Sequence, residues 1–359
     1  MPPETAVLAL LVVALTLYAV LGGADFGAGV WEVNTALQAP ERERTLLYRA
    51  IGPVWEANHV WLIFALVVLQ TAFPRASAAV MQALWLPLFL GLLGIVFRGA
   101  GFAFRSYAAG AVLQQQIWGV VFALGSTAAP FFLGAAAGAV ASGRLAITSD
   151  GHFAGSFLTG WISPLSIFAA FFAVGGCAYL AAVYLTREAA QAGDQELAHL
   201  WRVRSLATGA WMGVLAFAGV AIVASDAPAL WAGFRERGLP FVAVSFVTGC
   251  GSLFGLWRGG FGLAVTAAAA TVGSVILGLA ASQYPVLVPP GLTLDFAKAP
   301  DRVLLAVLCA VGGGVVVLVP ALFLLFRTFK RRPRQPPGAL GTLAVSCLAP
   351  GPKSRGRCR

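Results

Sequence analysis

Long apolar runs alternate with short polar connections along this chain. They lie at roughly 5–33, 52–73, 78–104, 116–141, 159–186, 203–224, 240–257, 261–283 and 302–328. A helix needs about 17–25 residues to cross about 30 Å of hydrocarbon, and each run is long enough. Spanning segments must be helical, because lipid offers the backbone no hydrogen-bond partner. The pattern predicts an all-α integral membrane protein with about nine transmembrane helices in bundles, or eight if the runs beside Gly259 and Gly260 are one span.

Composition supports membrane insertion and excludes two other classes of protein. Hydrophobic residues make up 59% of the chain and charged residues 11%, whereas soluble globular chains carry about 25% charged residues. The net charge of +10 comes from connections and from the tail, without a basic face that carries aromatic side chains. Nucleic-acid binding is therefore not expected. No Lys or Arg precedes Arg42, so we expect the first run to be a retained helix and not a signal peptide.

The distribution of basic residues predicts the orientation. With nine helices, thirteen Lys and Arg residues follow odd-numbered spans and six follow even-numbered spans, when residues up to Arg334 are counted. The positive-inside bias then places the N-terminus outside and the C-terminus in the cytoplasm. We expect residues 1–330 to form one transmembrane domain. Residues 331–359 form a basic, Pro- and Gly-rich tail that we expect to be disordered in the cytoplasm. The five cysteines show no CxxC pairing, so neither a metal site nor a disulfide is expected.

Ionisable side chains inside the apolar runs are the best indicators of function, because each costs about 2.5–3.5 kcal/mol at the centre of a spanning helix. Four such residues stand out: Asp25, Glu56, His59 and Arg98. Asp25 lies in LGGADFGAGVWE, whose glycines would let another helix approach closely. It could be an embedded functional carboxylate, or it could mark the aqueous end of the first helix.

Glu56 and His59 lie in IGPVWEANHVWLI, at the predicted start of the second helix. Glu56 could be a favourable charge at a helix N-terminus. It is also three residues from His59 on one helix face, with Trp55 and Asn58 on the adjacent face. This is more polar chemistry than a helix cap requires. His152 and His199 fall in connections, where we expect solvated side chains, and His59 alone could at most supply one haem ligand.

Arg98 lies one to two turns inside the predicted third helix, so pairing with a carboxylate is favoured over reaching the membrane surface. Arg105, nearer the helix end, is expected to extend to the cytoplasmic surface. With the predicted orientation, Asp25, Glu56 and Arg98 all lie towards the cytoplasmic side. Three helices would then place a proton route or a buried ion-pair network at one depth.

Several segments in order along the chain resemble subunit II of cytochrome bd-type quinol oxidases. They are GADFGAG, GPVWEANHVWLI, FRGAGFAFRS, SPLSIFAAFFAVGGCAYLAAVYL and YPVLVPPGLTLDFAKAP, and the resemblance extends in order over residues 5–330 or so. The resemblance implies a bacterial inner-membrane heterodimer with a larger subunit I that carries two b haems and one d haem. That complex would oxidise quinol and reduce dioxygen to water. The resemblance also allows small single-helix accessory subunits and bound lipid or quinone.

The resemblance also implies residue roles. Glu56 matches the acidic residue of the cytoplasmic proton pathway, with Asp25 and Arg98 among the charged groups beside it. Trp55 matches an aromatic residue packed near the partner's haem, and Trp61 a tryptophan associated with dioxygen access. Asn58 and His59 are further candidate residues of this site. The family often has Asp at position 56 and another residue at position 59, so we expect the details of the proton path to differ at these two positions.

Two other functional classes remain open from the residues alone. In a transporter, Asp25, Glu56 and Arg98 would line a substrate path. A purely structural subunit would shield its partner's cofactors and tolerate changes at all four polar positions. Haem spectra of the co-purified complex would distinguish a permease from an oxidase.

Overall fold

The computed structural model describes residues 1–35, 41–51, 55–107, 112–148, 152–156, 158 and 160–329. Some helical residues, Trp55 and Glu56 among them, are described by their backbone alone. The predicted tail at 331–359 lies outside the described residues. The chain divides into two units, Met1–Leu308 and Cys309–Arg359. Of the second unit, the structure describes the helical residues from Cys309 to Phe329.

The protein is an all-α membrane protein. Its longer helices are α1 (Pro3–Leu17), α2 (Gly23–Thr35), α3 (Glu41–Ile51), α4 (Trp55–Ala72), α5 (Pro74–Ala83), α6 (Trp85–Tyr107), α7 (Val112–Ser142), α8 (Pro164–Gln191) and α9 (Gln195–Asp226), followed by α10 (Pro228–Gly233), α11 (Leu239–Arg258), α12 (Phe261–Gln283), α13 (Leu294–Ala297) and α14 (Asp301–Phe329). A short antiparallel pair, β1 (Val286–Val288) and β2 (Leu292–Thr293), lies between α12 and α13.

Among the described residues, seven helical segments are long and apolar enough to cross a membrane. There is an eighth if α4 and α5 count as one span, although the chain bends by 117° between these two helices at Phe73. The helix Asp301–Phe329 is present, but many of its side chains lie outside the described part of the chain. The predicted number of nine spans and the orientation therefore stay predictions.

Two predicted boundaries were wrong. The third apolar run was expected to form one helix over 78–104, but its first residues belong to α5, and a break at Leu84 separates them from α6. Hydropathy misses this break because apolar residues continue on both sides of it, with Ala83 before Leu84 and Trp85 and Leu86 after it. The sixth helix was expected to begin at 203, yet α9 begins at Gln195, where the side chain of Asp194 accepts a hydrogen bond from the backbone N–H of Leu197 (3.0 Å). This N-cap extends the helix through polar residues.

The first span contains a π-helical turn, Tyr18–Gly22, between α1 and α2. A π-turn inserts an extra residue into the helix, and such turns occur frequently at functional sites. The side-chain amide of Asn58 on α4 donates a hydrogen bond to the Leu21 carbonyl in this turn (3.3 Å). The turn therefore connects the predicted motifs of the first and second helices.

Close packing around α2 builds the centre of the first unit. Helix α2 packs against α7 and α8, and α6 packs against α7. A Cβ atom placed on Gly27 would lie 1.8 Å from the Cys177 carbonyl oxygen, and one on Gly29 would lie 2.0 Å from Ser126 Oγ. Small residues permit such approach in membranes, where association depends on packing rather than on the hydrophobic effect. This packing brings the polar residues of α2 against neighbouring helices.

Candidate functional site

An ion pair between Asp25 on α2 and Arg98 on α6 lies at the centre of the site. Arg98 Nη2 is 2.6 Å from Asp25 Oδ1. Asp25 is 4% exposed and Arg98 1% exposed. Removing one member of such a pair is strongly destabilising, because it leaves an uncompensated buried charge. The two residues therefore require each other inside the protein.

Aromatic rings enclose the Arg98 guanidinium. Its carbon lies 4.9 Å from the Phe26 ring centre and 5.6 Å from that of Phe122. A cation within about 6 Å of a ring face is attracted to it, more strongly where water is excluded. These rings hold the guanidinium in one place between α2, α6 and α7.

His59 on α4 completes the cluster. Its Nε2 lies 3.4 Å from Arg98 Nη1. The imidazole also contacts the rings of Phe26 (5.8 Å between centres) and Tyr18 (6.2 Å). Asn58, next to it in the chain, is buried against the π-turn that precedes Asp25. Four of the predicted site residues, Asp25, Asn58, His59 and Arg98, are thus brought together from three helices.

The other predicted site residues have different positions. Trp61 is partly buried and packs against the apolar cluster formed by Tyr18, Phe26 and Ala129. Trp55 and Glu56 are the first residues of α4, but their side chains lie outside the described residues. His152 and His199 are exposed, as expected, although His199 lies on α9 and not in a connection.

A second buried ion pair was missed by the sequence interpretation. Arg105 Nη1 on α6 lies 2.5 Å from Glu32 Oε1 on α2. Glu32 is 0% exposed. Arg105, expected to extend to the membrane surface, instead has a side chain that is only 10% exposed, because the Glu32 carboxylate holds it inside. The available signal was the spacing, since Glu32 follows Asp25 by seven residues and so lies on the same helix face.

Polar contacts at this end of α2 attach α3 to the α8–α9 hairpin. Arg204 Nη1 on α9 lies 2.8 Å from Glu43 Oε2 on α3, and its guanidinium stacks over Trp201 at 4.7 Å. Exposed Arg42 pairs with Asp194 and Glu196, at 2.5 and 3.0 Å. These bonds to carboxylates raise the pKa of Arg42. Helix α3 therefore lies over the end of α2 that carries Glu32, and ion pairs between arginines and carboxylates hold it against the α8–α9 hairpin.

The geometry supports one kind of chemistry within the described helices. Buried carboxylates beside cations can exchange protons when their environment brings the two protonation states close in free energy. No group of three or more His, Cys, Asp or Glu residues suited to a metal ion occurs in the described part of the chain. Proton transfer and charge compensation are what these side chains can contribute.

Comparison with known proteins gives relatives of one kind. The chain is 35% identical over 114 residues to cytochrome bd ubiquinol oxidase subunit 2 of Bacillus subtilis, covering 32% of this chain and 33% of that protein. It is 31% identical over 126 residues to cytochrome bd-I ubiquinol oxidase subunit 2 of Escherichia coli K12, covering 35% and 32%. The alignments thus span about a third of the length of these curated relatives.

The fold matches a solved structure over nearly its whole length. A chain from the structure of bd oxidase from Geobacillus thermodenitrificans superposes with a TM-score of 0.72 and 22% identity, covering 92% of this chain and 99% of that chain. The family model for cytochrome bd terminal oxidase subunit II matches residues 3–329. With a family match over almost all of its apolar region, this chain belongs to the cytochrome bd terminal oxidase subunit II family.

Proposed function

We propose that this chain is subunit II of a membrane quinol:dioxygen oxidoreductase that reduces dioxygen to water, and that it contributes a proton uptake route to the complex. The observation that carries the proposal is the buried Asp25–Arg98 pair in a chain of this family. The complex would include a haem-bearing subunit I in a bacterial inner membrane. Quinol would be its electron donor.

Haem ligation is assigned to the partner subunit. The sequence has three histidines. His152 and His199 are exposed, and His59 Nε2 faces the Arg98 guanidinium at 3.4 Å. A cation at that position opposes coordination of a metal ion by the same nitrogen. These residues do not fit a haem site, so this chain would act beside haems that the partner holds.

The proposed route uses the acidic residues of the first two spans. Reduction of one dioxygen to water consumes four protons, and taking them from the cytoplasm separates charge across the membrane. Asp25 would accept protons while Arg98 compensates the charge of its ionised form. Glu56 would act on the same route, with Asn58 and His59 beside it. Trp55 would pack near the partner's haem and Trp61 would border the dioxygen path.

The test uses the complete complex purified through this chain. The variants Asp25→Asn and Glu56→Gln remove an acid while nearly preserving size. In the assembled complex we expect unchanged haem spectra and a loss of dioxygen consumption of about 100-fold, since positioned proton transfer contributes about 10²–10⁴-fold. Asp25→Asn also leaves the Arg98 guanidinium without its carboxylate, so this variant should in addition unfold more easily. Asp226→Asn is the matched control, because Asp226 is a buried carboxylate that pairs with Arg144 away from Asp25. Wild-type turnover in Asp25→Asn would refute the proton role, and absence of haem from the complex would refute the oxidase assignment.

A further inference from the structure

We propose that Glu32 carries protons to Asp25, with the Ser126 hydroxyl as the relay between the two carboxylates. This inference rests on the proposed function and adds two residues to its proton route. It starts from three features of α2 and α7: a shared helix face, an isolated buried hydroxyl and a second buried ion pair.

The first feature is the alignment of residues on α2. Asp25, Gly29 and Glu32 are separated by four and three residues, so they lie in one row along the helix. At about 1.5 Å per residue, Glu32 lies about 10 Å from Asp25 along the axis. Gly29 is between them and has no side chain. The row therefore consists of two acids separated by a gap opposite α7.

The second feature is Ser126, which α7 places in that gap. A Cβ atom on Gly29 would lie 2.0 Å from Ser126 Oγ, so the hydroxyl occupies the space that glycine leaves. Ser126 is 0% exposed. Its Oγ makes no hydrogen bond with any described residue, which is unusual for a buried hydroxyl. Phe122 also borders the gap, because a ring carbon lies 3.1 Å from the same Cβ position.

The third feature is the environment of Glu32. Its Oε1 lies 2.5 Å from Arg105 Nη1, as the Asp25 carboxylate lies beside Arg98. A Cβ atom on Gly119 would lie 2.9 Å from Arg105 Nη1, so this glycine gives the guanidinium room against α7. Arg44 on α3 adds a positive charge close enough to interact with the Glu32 carboxylate. Each acid of the row thus has its own cation.

The position of Glu32 suits the outer step of the route. Arg105 is near the end of α6, two residues before Tyr107, which is 87% exposed. Arg98, seven residues earlier on the same helix, is 1% exposed. Exposure of the arginine side chains therefore rises from 1% for Arg98 to 10% for Arg105, while both carboxylates stay buried. A proton that enters from water at this end of α6 would pass Arg105 and reach Glu32 before Asp25.

The transfer conserves protons at each group. Glu32 accepts a proton from the aqueous side and gives it through a bound water to Ser126 Oγ, which makes no direct hydrogen bond to either acid. The hydroxyl passes its own proton on through a second bound water to the Asp25 carboxylate and then reorients. Glu32 and Ser126 return to their starting states, and the net change is one proton on Asp25.

A structural role makes different predictions. If the Glu32–Arg105 pair only held α2 against α6, its loss would lower stability without a specific effect on proton uptake. Ser126 would then be dispensable, because it makes no hydrogen bond among the described residues. Proton uptake therefore has to be measured separately from stability and from electron delivery.

The experiment follows one turnover of the intact complex in detergent. Fully reduced enzyme is mixed with dioxygen, and haem oxidation and proton uptake by a pH-sensitive dye are recorded together. The variants are Glu32→Gln, Glu32→Asp, Ser126→Ala and Asp25→Asn, with Asp226→Asn as the control. We expect quinol to reduce the haems at wild-type rate in all of them. Proton uptake should slow about tenfold or more in Glu32→Gln and Ser126→Ala, and should largely recover in Glu32→Asp.

Each outcome decides between the proposals. Normal uptake in Glu32→Gln with slow uptake in Asp25→Asn overturns the Glu32 relay and leaves the proposed function intact. Normal uptake in Asp25→Asn overturns the proposed function together with the relay. Equal losses in Glu32→Gln and Glu32→Asp, with normal uptake in Ser126→Ala, identify a structural pair and overturn the relay. If Glu32→Gln does not assemble, Ser126→Ala decides alone: slow uptake supports the relay and normal uptake overturns it.

Discussion

The contact of Gly27 with α8 controls where α2 places its acids. A Cβ atom at this position would lie 1.8 Å from the Cys177 carbonyl oxygen and 2.8 Å from Ala181 Cβ. Real Cβ contacts are essentially never shorter than 3.0 Å, so Gly27→Ala must move α2 and α8 apart by about 1.2 Å, the difference between these distances. The obstacle is backbone, which cannot rotate away as a side chain can.

The magnitude follows from the cost of overpacking. Extra methyl groups in a packed core typically cost about 1–3 kcal/mol. Alanine offsets part of this, because glycine in a helix interior is less stable by about 0.5–1 kcal/mol. We therefore expect Gly27→Ala to lower the free energy of unfolding by about 1–2 kcal/mol. A displaced α2 also weakens the 2.6 Å contact between Asp25 and Arg98, so dioxygen consumption should fall as well.

The assay is thermal unfolding of the complex in detergent, followed by haem release and paired with oxygen uptake. Gly176→Ala is the matched control, since Gly176 precedes Cys177 on α8 and a Cβ atom there would meet nothing within 4 Å. That variant should unfold at the wild-type temperature or slightly above it. The packing argument fails if Gly27→Ala is as stable and as active as Gly176→Ala.

Two other predictions concern stability. Arg98→Met leaves the Asp25 carboxylate buried without its cation, and it should lower the free energy of unfolding by about 3–5 kcal/mol in denaturant titrations. The double variant Asp25→Asn/Arg98→Met should recover most of this loss. Equal losses of stability in the single and double variants would show that the pair is not coupled. Tyr179→Phe removes the hydrogen bond that Tyr179 Oη donates to Ser252 Oγ (2.7 Å). It should lower the free energy of unfolding by about 0.6 kcal/mol, with about 1.7 kcal/mol as the upper bound. A larger loss of stability would point to a packing role for the hydroxyl.

The two buried ion pairs show which parts of the site the sequence could predict and which it could not. Asp25 and Arg98 were identified because charges are rare in apolar runs. The two residues are 73 positions apart along the chain, and their pairing depends on the approach of α6 to α2. Glu32 was overlooked because it lies near a predicted helix end, where an acidic residue is unremarkable. Its burial arises from Arg105, which hydropathy alone assigned to the membrane surface.

The sequence by itself determined the class of protein and its helical elements, because in lipid each backbone polar group must be satisfied within its own segment. It also identified the polar residues, because their cost in hydrocarbon makes them rare. The bend between α4 and α5, the pairing of each acid with its arginine and the placement of Ser126 against Gly29 were decided by the tertiary structure. These features depend on which faces of distant helices meet, and that choice is made by close backbone contacts at glycines such as Gly27 and not by local composition.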